Sequence, residues 1–318
     1  MQQTGVSEQP AEQSSGASGA PLVASSPDVR PAASISPQTG TGGSCGCGGQ
    51  AAEVARGALE TPYVFAIGKV EVRFPSLAVE KEFAQAGGRA DTAGLTDREA
   101  LQSVLTRREN RYLARQVRWV FTIEGLETYL LIPRDPADYD LLLEAVRPAP
   151  SPLDVDVVVG RRGPIAPPEM CNGLLVPLVA FDQLYSFDRD ALVQAIPRPA
   201  TIAAKQEKQF RSAAGELLDR IMQLADNAGS TDEHRAVNYL AVRYPAIYAL
   251  ASEAYGRDSA LTAVEARPSR LSATRKVVDI IFAFTNRQTD VTEKYFVRVD
   301  VTEEFPFLVT KLSPYYDR

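Results

Sequence analysis

The stretch VRWVFTIEGLETYLLI (117–132) reads as an antiparallel β-hairpin, and the fold class follows from it. Val117, Trp119, Phe121 and Ile123 recur at the two-residue spacing of a strand with one buried face. The short connection EGLE (124–127) then turns the chain back into TYLLI (128–132), a second apolar run. Aromatic and β-branched residues dominate both arms, as a half-buried pleated surface requires.

Working upstream, YVFAIGKVEVRF (63–74) has the same strand composition and stops at Pro75. LAVEKEFAQ (77–85) takes up helical spacing and is closed by Gly87 and Gly88. A second helix is expected from Thr96, because Glu99 three residues later completes a capping box. It or a successor runs through RRENRYLAR (107–115), where Arg107, Arg111 and Arg115 are spaced to share a helix face.

Downstream, DPADYDLLLEAV (135–146) is a helix with Pro136 at its first position. DVDVVVG (154–160) is a strand, and GPIAPPEMCNG (163–173) is a proline-rich loop. LLVPLVAF (174–181) is extended, and Pro177 marks it as an edge strand at best. A short helix is expected over 188–196 and a long amphipathic one over about 204–226. Ser230 with Glu233 forms a second capping-box pattern, and Pro245 opens a further helix that Gly256 closes. LTAVEAR (261–267), VVDIIFAFT (277–285) and KYFVRVDVT (294–302) then read as an antiparallel meander. Helices segregated from antiparallel strands define an α+β fold.

Residues 1–60 differ in kind: Gly, Ser, Ala, Pro, Gln and Thr dominate, and no aromatic residue occurs. Such a segment buries too little apolar area to offset its ordering entropy and is read as a disordered tail. It contains Cys45 and Cys47 in GGSCGCGGQ (42–50). The net charge of -6 argues against nucleic acid or an anionic membrane as partner, since both require a basic face. No apolar run reaches the ~18 residues of a membrane span, and the N-terminus has no signal-peptide pattern. Three cysteines make no disulfide framework, so the expectation is a soluble cytoplasmic protein.

Chemistry is sparse. The chain has one histidine, His234, so general base or multi-histidine metal chemistry would pass through that residue. Cys45, Cys47, Cys171 and His234 are scattered over distant segments, so no metal site and no cofactor is expected. Asp154 and Asp156 share a strand face but precede the apolar run instead of following it, which reads as a solvated strand entrance. Glu303 and Glu304 are neighbours and would point to opposite faces of a strand. No catalytic residue is assigned. The binding candidates are Arg161 and Arg162, placed between Gly160 and Gly163 in an expected turn where two guanidiniums grip an anion, together with Glu124 and His234.

Four stretches carry a family likeness: 63–85, 107–148, 154–188 and 300–318. Together they resemble the C-terminal domain of unknown function in cyanobactin-maturation proteins of the PatG and PatA type. The resemblance implies division of the ordered body into an N-terminal part, 61–200, and a C-terminal part, 201–318. In that family the domain follows a subtilisin-like protease module; no Asp, His or Ser motif of that module occurs here, so the chain is not expected to be a protease. The resemblance implies a non-catalytic accessory domain in ribosomal peptide maturation, with the precursor peptide or a pathway enzyme as partner. An enzyme of unrecognised type and a homodimerisation module are the alternatives.

Overall fold

The hairpin forms with a tighter turn than read, because Leu126 and Glu127, expected in the connection, belong to the second strand. In the computed structural model, β2 (Arg118–Ile123) and β3 (Leu126–Pro133) are antiparallel, with Trp119 opposite Leu131 and Phe121 opposite Tyr129. Glu124 and Gly125 make the turn at φ 51° and 80°, the positive-φ pair that tight hairpins use. The structure describes residues 62–88, 92–149, 154–188, 207–223, 226–272 and 274–316. The expected tail over 1–60, Cys45 and Cys47, and the helix expected from 189 onward lie outside these residues. All described residues fall in one compact unit, Ala55–Arg318.

β1 (Tyr63–Arg73) changes partner midway. Residues 63–68 pair with β4 (Asp154–Ile165), and residues 69–73 pair with β2. At the split, Asp156 Oδ2 accepts from the Val70 amide at 2.7 Å, supplying a partner the ladder does not. A β-carbon on Gly68 would lie 2.2 Å from the Thr122 carbonyl oxygen, so only glycine fits this close approach. β5 (Pro177–Asp188) runs antiparallel to β4 and parallel to β3, closing a barrel in the order β1-β2-β3-β5-β4.

Trp119, Phe121, Tyr129, Leu131, Val179 and Phe181 are buried in one cluster with residues of α2 (Asp97–Leu105), α3 (Arg111–Gln116) and α4 (Tyr139–Ala145). Each aromatic buried there contributes about 3 kcal/mol of transfer free energy. α1 (Leu77–Gly87) opens at the Ser76 cap, and the Thr96 capping box before α2 is present. This strand order, with one parallel pair and a helix between β3 and β4, is that of the oligonucleotide- and oligosaccharide-binding barrel.

The other face of β1 and β4 packs on helices. Phe65, Ile67, Val157 and Val159 share a cluster with α5 (Glu207–Met222), α6 (Asp232–Arg243) and α7 (Ala246–Gly256). The far side of those helices carries β6 (Ser259–Pro268), β7 (Val277–Asn286), β8 (Thr292–Asp300) and β9 (Phe307–Pro314). This second sheet is an antiparallel meander in chain order. The fold is α+β, as the patterning implied.

Several local expectations need correction. β5 is no edge strand: it has a neighbour on each side, and Pro177 is tolerated because it is the first residue of the strand. Arg161 and Arg162 lie inside β4, not in a turn. Arg107 lies outside any helix, before a short 3₁₀ turn at Arg108–Asn110, so it shares no helix face with Arg111 and Arg115. The cap of α6 is Thr231, whose side chain accepts from the His234 amide at 3.1 Å, and not Ser230. Asp156 is buried, not solvated.

Candidate functional site

The tip of the β2–β3 hairpin stands between two open clefts. One, of about 420 Å³, lies between β1, the hairpin and α5, and Lys69, Glu71, Asp154, Leu218 and Asp219 line it. The other, of about 450 Å³, lies between the hairpin, the start of β5 and the turn after α5, lined by Leu126, Glu127, Val176, Pro177 and Asp226. Glu124 and Met222 line both, so the two clefts adjoin. Val155, Leu218, Met222, Val176 and Leu126 supply apolar surface, and carboxylates outnumber the one lysine.

Local sequence explains this arrangement. The two-residue turn forces Glu124 into a left-handed conformation at an exposed tip, so its carboxylate projects from the wall that separates the clefts. Glu127 is held by Arg73 at 2.8 Å, and Asp154 is held by Arg147. Glu124 has no ion pair with any described residue. Behind the second cleft, Asn227 and Asn238 exchange amide hydrogen bonds at 2.7 and 3.1 Å. The Tyr129 hydroxyl donates to the Ala228 carbonyl at 2.8 Å, which fixes that wall to the barrel.

The outer face of β2 and β3 holds extended ligands in barrels of this order. Here it is closed by the chain's own β4–β5 loop. Ala166, Cys171 and Val176 pack on Val120 and Leu130, and Arg118 Nε donates to the Met170 carbonyl at 2.8 Å. Much of the loop expected to present a binding surface therefore seals the barrel wall.

None of the other sequence candidates lines the groove, although His234 is near enough to Asp226, which does, to feel its charge. Arg161 Nε donates to Glu304 Oε2 at 3.1 Å, with its guanidinium 5.6 Å from the Tyr63 ring centre. The Arg162 amide donates to the Pro62 carbonyl at 2.7 Å. As consecutive strand residues their side chains point to opposite faces, so the two guanidiniums do not converge. His234 sits in the first turn of α6 with Nδ1 buried and unpartnered among the described residues. Burial holds its pKa below the usual value against the opposing carboxylates of Glu233 and Asp226, so the ring is neutral at pH 7.

The sequence reading missed two features. Arg235 is fully buried, and its guanidinium donates to the carbonyls of Val301, Glu303 and Glu304. Asp182 and Glu304, far apart in the chain, are near enough for each carboxyl to perturb the other, with Asp182 held below and, mainly through burial, Glu304 pushed above the ordinary carboxylate value. An arginine on the inner face of an amphipathic helix was the available signal for the first; nothing local signals the second. The acidic pair Asp154 and Asp156 is committed elsewhere, to Arg147 and to the Val70 amide. Among the described residues no group of three or more His, Cys, Asp or Glu side chains is placed to hold a metal ion. No helix among them is long and apolar enough to cross a membrane.

Comparison with known proteins bears out the family likeness. Residues 204–315 match the family model described as PatG C-terminal. A solved structure described as the PatG domain of unknown function is similar to this chain, with a TM-score of 0.66 and 21% sequence identity. That similarity covers 80% of this chain and 98% of the other, and it shows a shared fold. No curated protein matches the chain.

Proposed function

We propose that this chain is a non-catalytic recognition domain in ribosomal peptide maturation of the cyanobactin kind, holding an extended precursor peptide in the groove around Glu124. The observation that carries the reading is the pair of adjoining clefts that share Glu124 and Met222. Concave apolar surface with a few fixed polar groups is the usual form of a binding site. Apolar side chains fit against Leu218, Met222 and Val176, while Glu124 offers an unpaired carboxylate to a positive group or to peptide amides. The PatG C-terminal match supports a place in a peptide-modifying system. Ribosomal precursors are made in the cytoplasm, and there we place the chain.

Calorimetric titration of the full chain with a synthetic cyanobactin precursor peptide tests this. Binding is expected in the wild type and at least about tenfold weaker in Glu124→Lys and in Met222→Glu, each of which removes about 1.4 kcal/mol or more. No heat with the wild type, or equal affinity in both variants, refutes it.

A second reading, self-association, rests on β9, which among the described residues has a strand neighbour only on its β8 side and leaves Phe307 and Val309 exposed. Light scattering decides it: a dimer mass that Val309→Lys converts to monomer supports the reading, and a monomer mass in the wild type removes it.

A further inference from the structure

β3 is longer than its pairing with β5. Leu130–Pro133 run beside Leu178–Phe181, whereas Leu126–Tyr129 have a strand partner only on the β2 side among the described residues. The cause lies at the start of β5. Ile165 pairs with Pro177, and the Val176 carbonyl accepts from the Ala166 amide at 2.8 Å, so the chain before Pro177 turns to β4 and leaves β3. Leu126, Glu127 and Thr128 thus line the second cleft along a strand edge, with Val176 and Pro177 on another wall. The turn after α5 completes the cleft, and its own main-chain bonds go elsewhere: the Gly229 carbonyl accepts from the Phe65 amide at 2.9 Å.

An open strand edge beside a cleft is a template for a further strand, because its N–H and C=O groups pair with any extended backbone. At about 3.3 Å per residue the four edge residues run for about 13 Å, which matches a peptide segment of about four residues. Apolar side chains of that segment meet Leu126, Val176 and Met222.

Charge selects the occupant. Glu124, Glu127 and Asp226 line this cleft, and no Lys, Arg or His does. Arg73 holds Glu127 at 2.8 Å, while Glu124 and Asp226 make no ion pair with a described residue. The chain's own residues 1–61 carry five acidic residues against two arginines, and a second copy brings a net charge of -6. Both are repelled by acidic walls, whereas a segment with a basic residue is attracted.

We propose that the second cleft takes an extended peptide segment as an added strand on the 126–129 edge of β3, in line with β5, with a lysine or arginine of that segment at Glu124 and Asp226. This rests on the reading of the groove as the precursor-peptide site and adds the mode of binding and the charge of the bound segment.

Calorimetric titration of the full chain with the synthetic precursor peptide and its singly N-methylated derivatives tests the mode. Each derivative lacks one main-chain donor, and an edge bonds alternate residues of an added strand. Affinity is therefore expected to fall about tenfold or more at every second residue of the bound segment and to hold at the residues between. Replacing each lysine or arginine of the peptide with glutamine tests the charge. One such change is expected to cost about tenfold with the wild type and less than about threefold with Glu124→Gln, since the partner charge is then already reduced. Binding that ignores N-methylation, or falls without alternation, overturns the inference and leaves the proposed peptide site standing. Binding unaffected by every basic-to-glutamine change does the same. No binding of the unmodified peptide overturns both.

Discussion

The side-chain amide of Asn238, on α6, donates to the backbone carbonyl of Phe65, on β1, at 2.8 Å, and both groups are buried. The same amide donates to Asn227 Oδ1 and receives a bond from Asn227 Nδ2, so one side chain joins the helical layer, the wall of the second cleft and the barrel. Replacing Asn238 with leucine leaves the Phe65 carbonyl and the Asn227 amide without partners in a dry site. The expected loss is about 2–3 kcal/mol in urea unfolding. A loss below about 0.5 kcal/mol would mean that water reaches these groups.

Arg235 does the equivalent work between α6 and the β8–β9 link. Its guanidinium is buried, donates to three carbonyls and lies 5.2 Å from the Tyr63 ring centre. Arg235→Met keeps the volume and removes every donor, and is expected to destabilise the chain by about 3 kcal/mol. Arg235→Lys is expected to recover only part of this, because an ammonium cannot reproduce the planar fork. Thermal denaturation of the three proteins gives the order wild type, lysine, methionine.

Two glycines at positive φ separate backbone strain from crowding. At Gly229, φ is 71° and a β-carbon would lie 2.4 Å from the Phe65 carbonyl oxygen. At Gly125, φ is 80° and the space is open. Gly125→Ala is therefore expected to cost about 1 kcal/mol, whereas Gly229→Ala costs about 3 kcal/mol or prevents folding. Equal losses in chemical denaturation would contradict the close contact between Gly229 and β1.

His234 gives the stability a defined pH dependence. Its folded pKa lies below the ordinary 6.5, mainly through burial. The unfolded chain thus takes up a proton more readily than the folded one, and stability declines as pH falls through and below 6.5. Unfolding free energy of the wild type is expected to drop between about pH 7 and about pH 5 by more than that of His234→Gln. Parallel curves would show that the imidazole has the same affinity for protons in both states.

Much of the fold is legible in the sequence because its cues are local. The hairpin rests on alternation over 117–123 and an apolar return at 128–132, and the Thr96–Glu99 capping box is contained within four positions, so residue order alone reveals both. The reading of Arg161 and Arg162 as a turn fails because Gly160 resembles a turn residue. In the structure its role is close approach: a β-carbon there would meet the Ala180 carbonyl oxygen at 2.4 Å, where β4 bends against β5. Pro177 misleads in the same way, since a proline that begins a strand forfeits no ladder bond. β9 escapes notice because its exposed and half-buried residues alternate without a strong apolar face. Of the candidate site, Glu124 is visible as an acidic turn residue. The groove beside it is not, because α5 comes to the hairpin only through tertiary packing. The link between Arg161 and Glu304 spans 143 residues, a separation at which no pattern in one sequence carries a signal.

The most direct test of recognition at the hairpin tip is a backbone NMR titration of the full chain with the precursor peptide. Shifts confined to Lys69, Glu124, Thr128, Met222 and Asp226, saturating together, are the predicted result. Saturable shifts restricted to β6–β9, or an unchanged spectrum at high peptide concentration, would contradict it.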